Sequence, residues 1–115
     1  MYHFTYSRIV AEGSQAARAA EREVLEQSIA LMEEAEKAGP SSREAVEAIY
    51  FVTRLWCHLI EDLGSPENDL PKELRAKLIS IGLFLIRRAE ELRNGGTQGF
   101  RGMIDITRTI AEGLK

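Results

Sequence analysis

The sequence predicts an all-α fold: a small antiparallel bundle of about four helices with a short aromatic N-terminal segment. Three observations predict it. Apolar residues recur at three-and-four spacing in four separate stretches. Proline and most of the glycine fall between those stretches, where helices stop and start. The chain has 115 residues, 44% apolar and 29% charged, which is the composition of one globular domain able to bury its own core. Residues 1–115 are therefore read as a single domain.

The first dozen residues carry two patterns. Tyr2, Phe4 and Tyr6 alternate as in a strand, while Tyr2, Tyr6, Ile9 and Val10 fit a short helix. In a helical chain the expectation is a short helix or an extended arm. The first long helix is expected from about Gln15 to Ala38, with Val24, Leu25, Ser28, Ile29, Met32 and Ala35 on one face. Alanines 16, 17, 19 and 20 keep its N-terminal end slim. Gly39-Pro40 then supplies a residue that accepts a left-handed cap and one that cannot continue the helix.

Ser41 with Glu44 three residues later has the form of a capping box, so the second helix is expected over about 42–63. Its inward stripe reads Val46, Ile49, Tyr50, Thr53, Trp56, Cys57, Ile60 and Leu63. Gly64-Ser65-Pro66 ends it, and the turn from Ser65 to Pro71 is expected to be structural. Pro71 suits the start of a third helix, because its missing N–H is not needed there. That helix presents Leu74, Leu78, Ile81, Gly82, Leu85, Ala89 and Leu92, and stops at Asn94-Gly95-Gly96. Thr97 is the expected cap of a fourth helix, with Phe100, Met103, Ile104, Thr107, Ile110, Ala111 and Leu114 facing inward.

Several function classes drop out. No apolar run approaches the roughly 18 residues of a membrane span. Met1–Tyr6 lacks the basic start and apolar stretch of a signal peptide. The single cysteine, Cys57, has no internal partner and reads as a core thiol, which suits a reducing, cytosolic setting. Charge is uneven: residues 1–69 hold six Lys/Arg against thirteen Asp/Glu, whereas residues 70–115 hold nine against five. The basic residues of the second half are interleaved with Glu73, Glu90, Glu91, Asp105 and Glu112, as on solvated helix faces. They do not form the dedicated patch of a nucleic-acid-binding domain.

Catalytic chemistry finds no support. His58 adjoins Cys57, and consecutive helical residues point about 100° apart, so the pair cannot chelate one metal. Glu33, Glu34, Glu36 and the pair Glu61-Asp62 read as solvated faces, and no Glu-x-x-His pairing offers a di-iron site. No phosphate-cradling glycine motif follows a strand, and no Ser or Thr has an interpretable His partner. No catalytic residue, metal site or cofactor is expected.

From Arg54-Leu55-Trp56 the chain continues through Leu59-Ile60-x-Asp62-Leu63 and Ser65-Pro66-Glu67-Asn68-x-Leu70-Pro71. It then runs through Glu73-Leu74-Arg75-Ala76-x-Leu78-Ile79-Ser80-Ile81-Gly82, and later Ile106-x-Arg108-x-Ile110-Ala111-x-Gly113-Leu114. This pattern resembles the FlaF family of alphaproteobacterial flagellar biosynthesis regulators. The likeness covers essentially the whole chain, with residues 54–82 its specific part. Val52-Thr53 stands before Arg54 where members of that family often have Asn-Arg. The resemblance implies a non-enzymatic role in flagellum assembly, with flagellin as partner and FlbT, a regulator of flagellin translation, as a second. It implies a cytosolic chaperone or adaptor that covers the amphipathic terminal helices of flagellin before export. The alternatives are a structural adaptor that pairs with FlbT or with itself, and an RNA-binding regulator using Lys72, Arg75, Lys77, Arg87, Arg88, Arg93, Arg101 and Arg108, with Phe84 and Phe100 as the nearby stacking rings.

The residues point to one candidate partner surface. At 100° per residue, Phe51 and Leu55 fall outside the second helix's stripe, among Glu44, Glu47 and Asp62, on the side expected to face water. Leu83 and Phe84 likewise depart from the stripe of the third helix. The four residues Phe51, Leu55, Leu83 and Phe84 are the expected partner-binding set, with a second layer of packing helices as the competing explanation.

Overall fold

The computed structural model describes residues 14–96 and 98–113, and the aromatic N-terminal segment, Thr97 and Leu114 lie outside them. Four helices follow in order: α1 (Ser14–Ala38), α2 (Arg43–Leu63), α3 (Lys72–Arg93) and α4 (Arg101–Glu112). They alternate in direction. α1 packs on α2, α2 on α3, and α4 returns to pack on α1. α3 and α4, although consecutive, make little contact, so the described residues leave one side of the bundle open.

The turns explain where each helix ends. Gly39 has φ +102°, a left-handed conformation that closes α1 as the sequence suggests. α2 is capped by Ser42 rather than Ser41: its Oγ accepts from Ala45 N–H at 3.1 Å and donates to the Gly39 carbonyl at 2.7 Å. One residue of slippage is enough, because adjacent serines are equivalent in a sequence pattern and only one has the extended backbone of a cap. Between α2 and α3 the turn is held by its own side chains. Asn68 Nδ2 donates to the carbonyl and carboxylate of Asp62, and Asn68 Oδ1 accepts from Leu70 N–H. Arg75 donates from α3 to the carbonyls of Leu63 and Ser65. These bonds fix where α3 begins.

The buried face of α1, namely Leu25, Ser28, Ile29, Met32 and Ala35, is the expected one, as is that of α4 through Phe100, Met103, Ile104, Thr107 and Ala111. Trp56 is core, 2% exposed. The face of α2, however, is turned by most of one residue from the expected stripe. Ala45, Ala48, Val52, Leu55, Trp56, Leu59, Asp62 and Leu63 are buried, while Val46, Tyr50 and Cys57 are exposed. Leu55 and Asp62 therefore do not face water, and Phe51 is half-buried against the core. The reason is packing on two sides: α2 is central, and Ala45 and Ala48 let a neighbour approach closely while contributing little to an apolar pattern. On α3, Leu74 departs from its expected inward place and stands exposed. A glycine sets the α2–α3 distance: a Cβ on Gly82 would lie 2.6 Å from Cε3 of Trp56.

The acidic residues of α1 are also not merely solvated. Glu36 Oε1 accepts from Phe100 N–H at 2.7 Å, and Glu33 pairs with Arg108 at 2.7 Å. The first of these bonds satisfies a donor at the start of α4, whose N-cap, Phe100, has no side-chain cap of its own. A carboxylate there also meets the positive end of the helix dipole.

Candidate functional site

The unclosed side between α3 and α4 is an apolar groove of about 300 Å³. It lies at the end of the bundle where α1 and α3 begin and α2 and α4 finish. Leu70, Leu74 and Leu78 form one wall, and Thr109, Ile110 and Gly113 form the other. Leu25, Trp56, Leu59 and Leu63 make the floor, and Glu21 and Asp62 are the charged lining residues among those described.

Each part has a local cause. The Asn68-centred turn places Leu70 at the mouth, and the helical repeat puts Leu74 and Leu78 one turn apart on the same side. The contact between Gly82 and Trp56 presses α3 onto α2 and sets the indole in the floor. The ties from Glu33 and Glu36 hold α4 on α1, away from α3. Asp62 is 4% exposed, and its carboxylate accepts from Asn68. That buried acid is linked to the turn as well as to the groove.

The four residues expected to bind a partner do not line one concavity. Phe51 and Leu55 line a shallower concavity of about 400 Å³ between α1 and α2, with Val24, Gln27, Tyr50, Arg54 and His58. Leu83 and Phe84 are 49% and 37% exposed, and they line neither concavity. As neighbours in one helix they point about 100° apart. Arg88 lies over the ring of Phe84, 5.5 Å from its centroid.

The groove residues went unremarked in the sequence because Leu74, Leu78, Ile110 and Leu63 read as ordinary inward positions. One signal was available. Asn94-Gly95-Gly96 and the residues up to Phe100 make a connection long enough to let α4 leave α3 and pack on α1. Nearly all of the groove comes from residues that carry the family resemblance; the exceptions are Glu21, Leu25 and Thr109.

Chemically, the arrangement offers an apolar slot. Among the described residues no three His, Cys, Asp or Glu side chains gather as metal ligands, and no helix is long and apolar enough to cross a membrane. The basic residues of α3 and α4 are largely engaged. Arg88 pairs with Glu91, Arg93 with Glu90, Arg101 with Asp105 and Arg108 with Glu33. Phe100, one of the two rings expected to stack on bases, is 2% exposed and turned into the core.

No curated protein and no solved structure matches this chain. The model of one family, described as flagellar protein FlaF, matches residues 2–114, nearly the whole length. With four helices among the described residues, packed as a small all-α bundle, and a match of that extent, the chain belongs to the FlaF family of flagellar proteins.

Proposed function

We propose that this protein acts in flagellum assembly by holding a terminal helix of flagellin in the groove between α3 and α4. In this reading it is a cytosolic secretion chaperone or adaptor that promotes flagellin synthesis and export, and it performs no catalysis. The observation that supports the reading is an apolar groove, uncovered by any of the described residues, in a member of a flagellar family. Flagellin's terminal helices bury their apolar faces only on assembly, so before export those faces need a temporary cover. A slot between two helices provides it by helix-in-groove binding, in which a partner's apolar stripe replaces water on Leu74, Leu78 and Ile110.

Leu74 is 41% exposed, so Leu74→Glu removes groove surface without burying a charge in the core. The expected result is unchanged thermal unfolding with loss of flagellin binding in calorimetric titration. Wild-type affinity for flagellin in that variant refutes the groove as the site. Co-purification with FlbT but not with flagellin replaces the chaperone reading by an adaptor one.

A further inference from the structure

We infer that the outer strip of α2 docks a second copy of this chain, with the two α2 helices lying antiparallel. The strip is the side of α2 turned away from α1 and from the groove. Gly82 meets Trp56 and Ile60, so α3 lies along one flank of α2, and beyond that flank α2 surfaces again. Val46 and Tyr50 stand there, 64% and 63% exposed, together with the exposed thiol of Cys57. Antiparallel neighbours mirror each other across their line of contact. Leu83, one position on from Gly82 and exposed, therefore surfaces on the same face, level with Cys57.

The charges of the strip say what fits it. In chain order they are Arg43, Glu47, Arg54 and Glu61, all exposed and alternating in sign. Reversed end for end, that pattern changes sign throughout. An antiparallel second copy thus sets Arg43 of one copy opposite Glu61 of the other, and Glu47 within a turn of Arg54. Each pair occurs twice about the two-fold axis, whereas a parallel copy would set like on like. Arg43 and Glu61 are roughly five whole turns apart, so they share one side of α2 at a distance of about 27 Å. Among the described residues neither takes part in an ion pair of its own chain. The same register brings Val46 of one copy beside Cys57 of the other and keeps both Tyr50 rings near the axis. Arg54 donates to the Tyr50 hydroxyl at 3.2 Å and lies over its ring, so that ring is held in place before docking. The groove opens on the other face of the α2–α3 pair, and the pairing leaves it free.

Sedimentation of the full chain tests this. Over about 1 μM to 1 mM the mass should rise from the 12.9 kDa of a monomer toward twice that value. Alkylation of Cys57 should slow over the same range. Arg43→Glu and Glu61→Arg each turn two attractions into two repulsions, and each should weaken association about tenfold. Both substitutions suit the dipole of α2, so both variants should keep the wild-type melting temperature. Mixed one to one, the two variants should associate as the wild type does, because each then meets the opposite charge on the other copy. Within one copy the two sites are too far apart for such a rescue.

A chain still monomeric at about 1 mM overturns the proposal. So does a mixture that associates no better than either variant alone. Self-association lost in Leu74→Glu and kept in both charge variants assigns the contact to the groove, and overturns it too. A dimer with this charge dependence but without affinity for flagellin bears the proposal out and refutes the groove reading alone.

Discussion

Gly82→Ala is the smallest change that probes how the site is built. The added methyl would sit 2.6 Å from Cε3 of Trp56 and 3.0 Å from Cδ1 of Ile60. Real carbon contacts do not approach the first distance, so the α2–α3 pair must part. Cδ1 of Ile60 is a flexible chain end and can move aside. The Trp56 ring is buried in the core and cannot. Overpacking of this kind costs about 1–3 kcal/mol, and a rigid aromatic neighbour argues for the upper part of that range. Against it stands the gain from replacing glycine by alanine in a helix interior, about 1 kcal/mol. The net expectation is a destabilisation of about 2 kcal/mol, or roughly 8 °C in melting temperature for a domain of this size. Urea unfolding followed by circular dichroism measures it, and Trp56 emission should shift as the indole is displaced. An unchanged or raised urea midpoint refutes the close approach of α3 to Trp56, because helix propensity would then be the only term left.

Four further outcomes follow from the burial and hydrogen bonds. Leu55→Glu should prevent folding while Leu83→Glu leaves the fold intact, since one site is 9% and the other 49% exposed; far-ultraviolet dichroism of the two variants checks this. Trp56→Ala should cost about 3–5 kcal/mol in denaturant unfolding. Ser42→Ala should cost about 1 kcal/mol and Ser41→Ala almost nothing, as only Ser42 caps α2. Glu36→Gln weakens a charge-assisted bond to Phe100 N–H and should cost about 1 kcal/mol. Its signature is faster amide exchange in α4 than in α2 or α3.

The helices were legible in the sequence because each is bounded by chemistry that acts locally. Gly39 must take a positive φ, Asn94-Gly95-Gly96 stops α3, and the apolar periods of α1 and α4 each serve one neighbour. The face of α2 was not legible for the same reason in reverse. A central helix is packed from two directions, and its closest contacts run through Ala45 and Ala48, which weigh little in any apolar count. Val46 and Tyr50 look like core residues and stand in water, while Asp62 looks like a surface residue and is buried with Asn68. The groove was hidden for a further reason. Its walls read as inward positions of α3 and α4, and periodicity assigns a residue to an inward face without saying whether anything lies opposite. That depends on Glu36 and Glu33, 64 and 75 residues away from the α4 groups they bind.

Those long-range bonds also explain why the groove does not collapse on itself. Closing it would bury the leucines of α3 against Ile110, a gain of the order of 25 cal/mol for each Å² of apolar surface removed from water. The helices are not free to take that gain. α3 is fixed at its start by Arg75 and the Asn68 turn, and in its middle by the fit of Gly82 on Trp56. α4 is fixed to α1 by two carboxylates that reach Phe100 N–H and Arg108, eight residues apart along α4. These contacts are directional, and none of them lies between the two walls. The spacing of the walls is therefore set by elements outside the groove, and the slot is formed before a ligand arrives. Ordering costs on binding then fall mainly on the ligand, which suits a protein whose proposed partner becomes helical and covered in the same step.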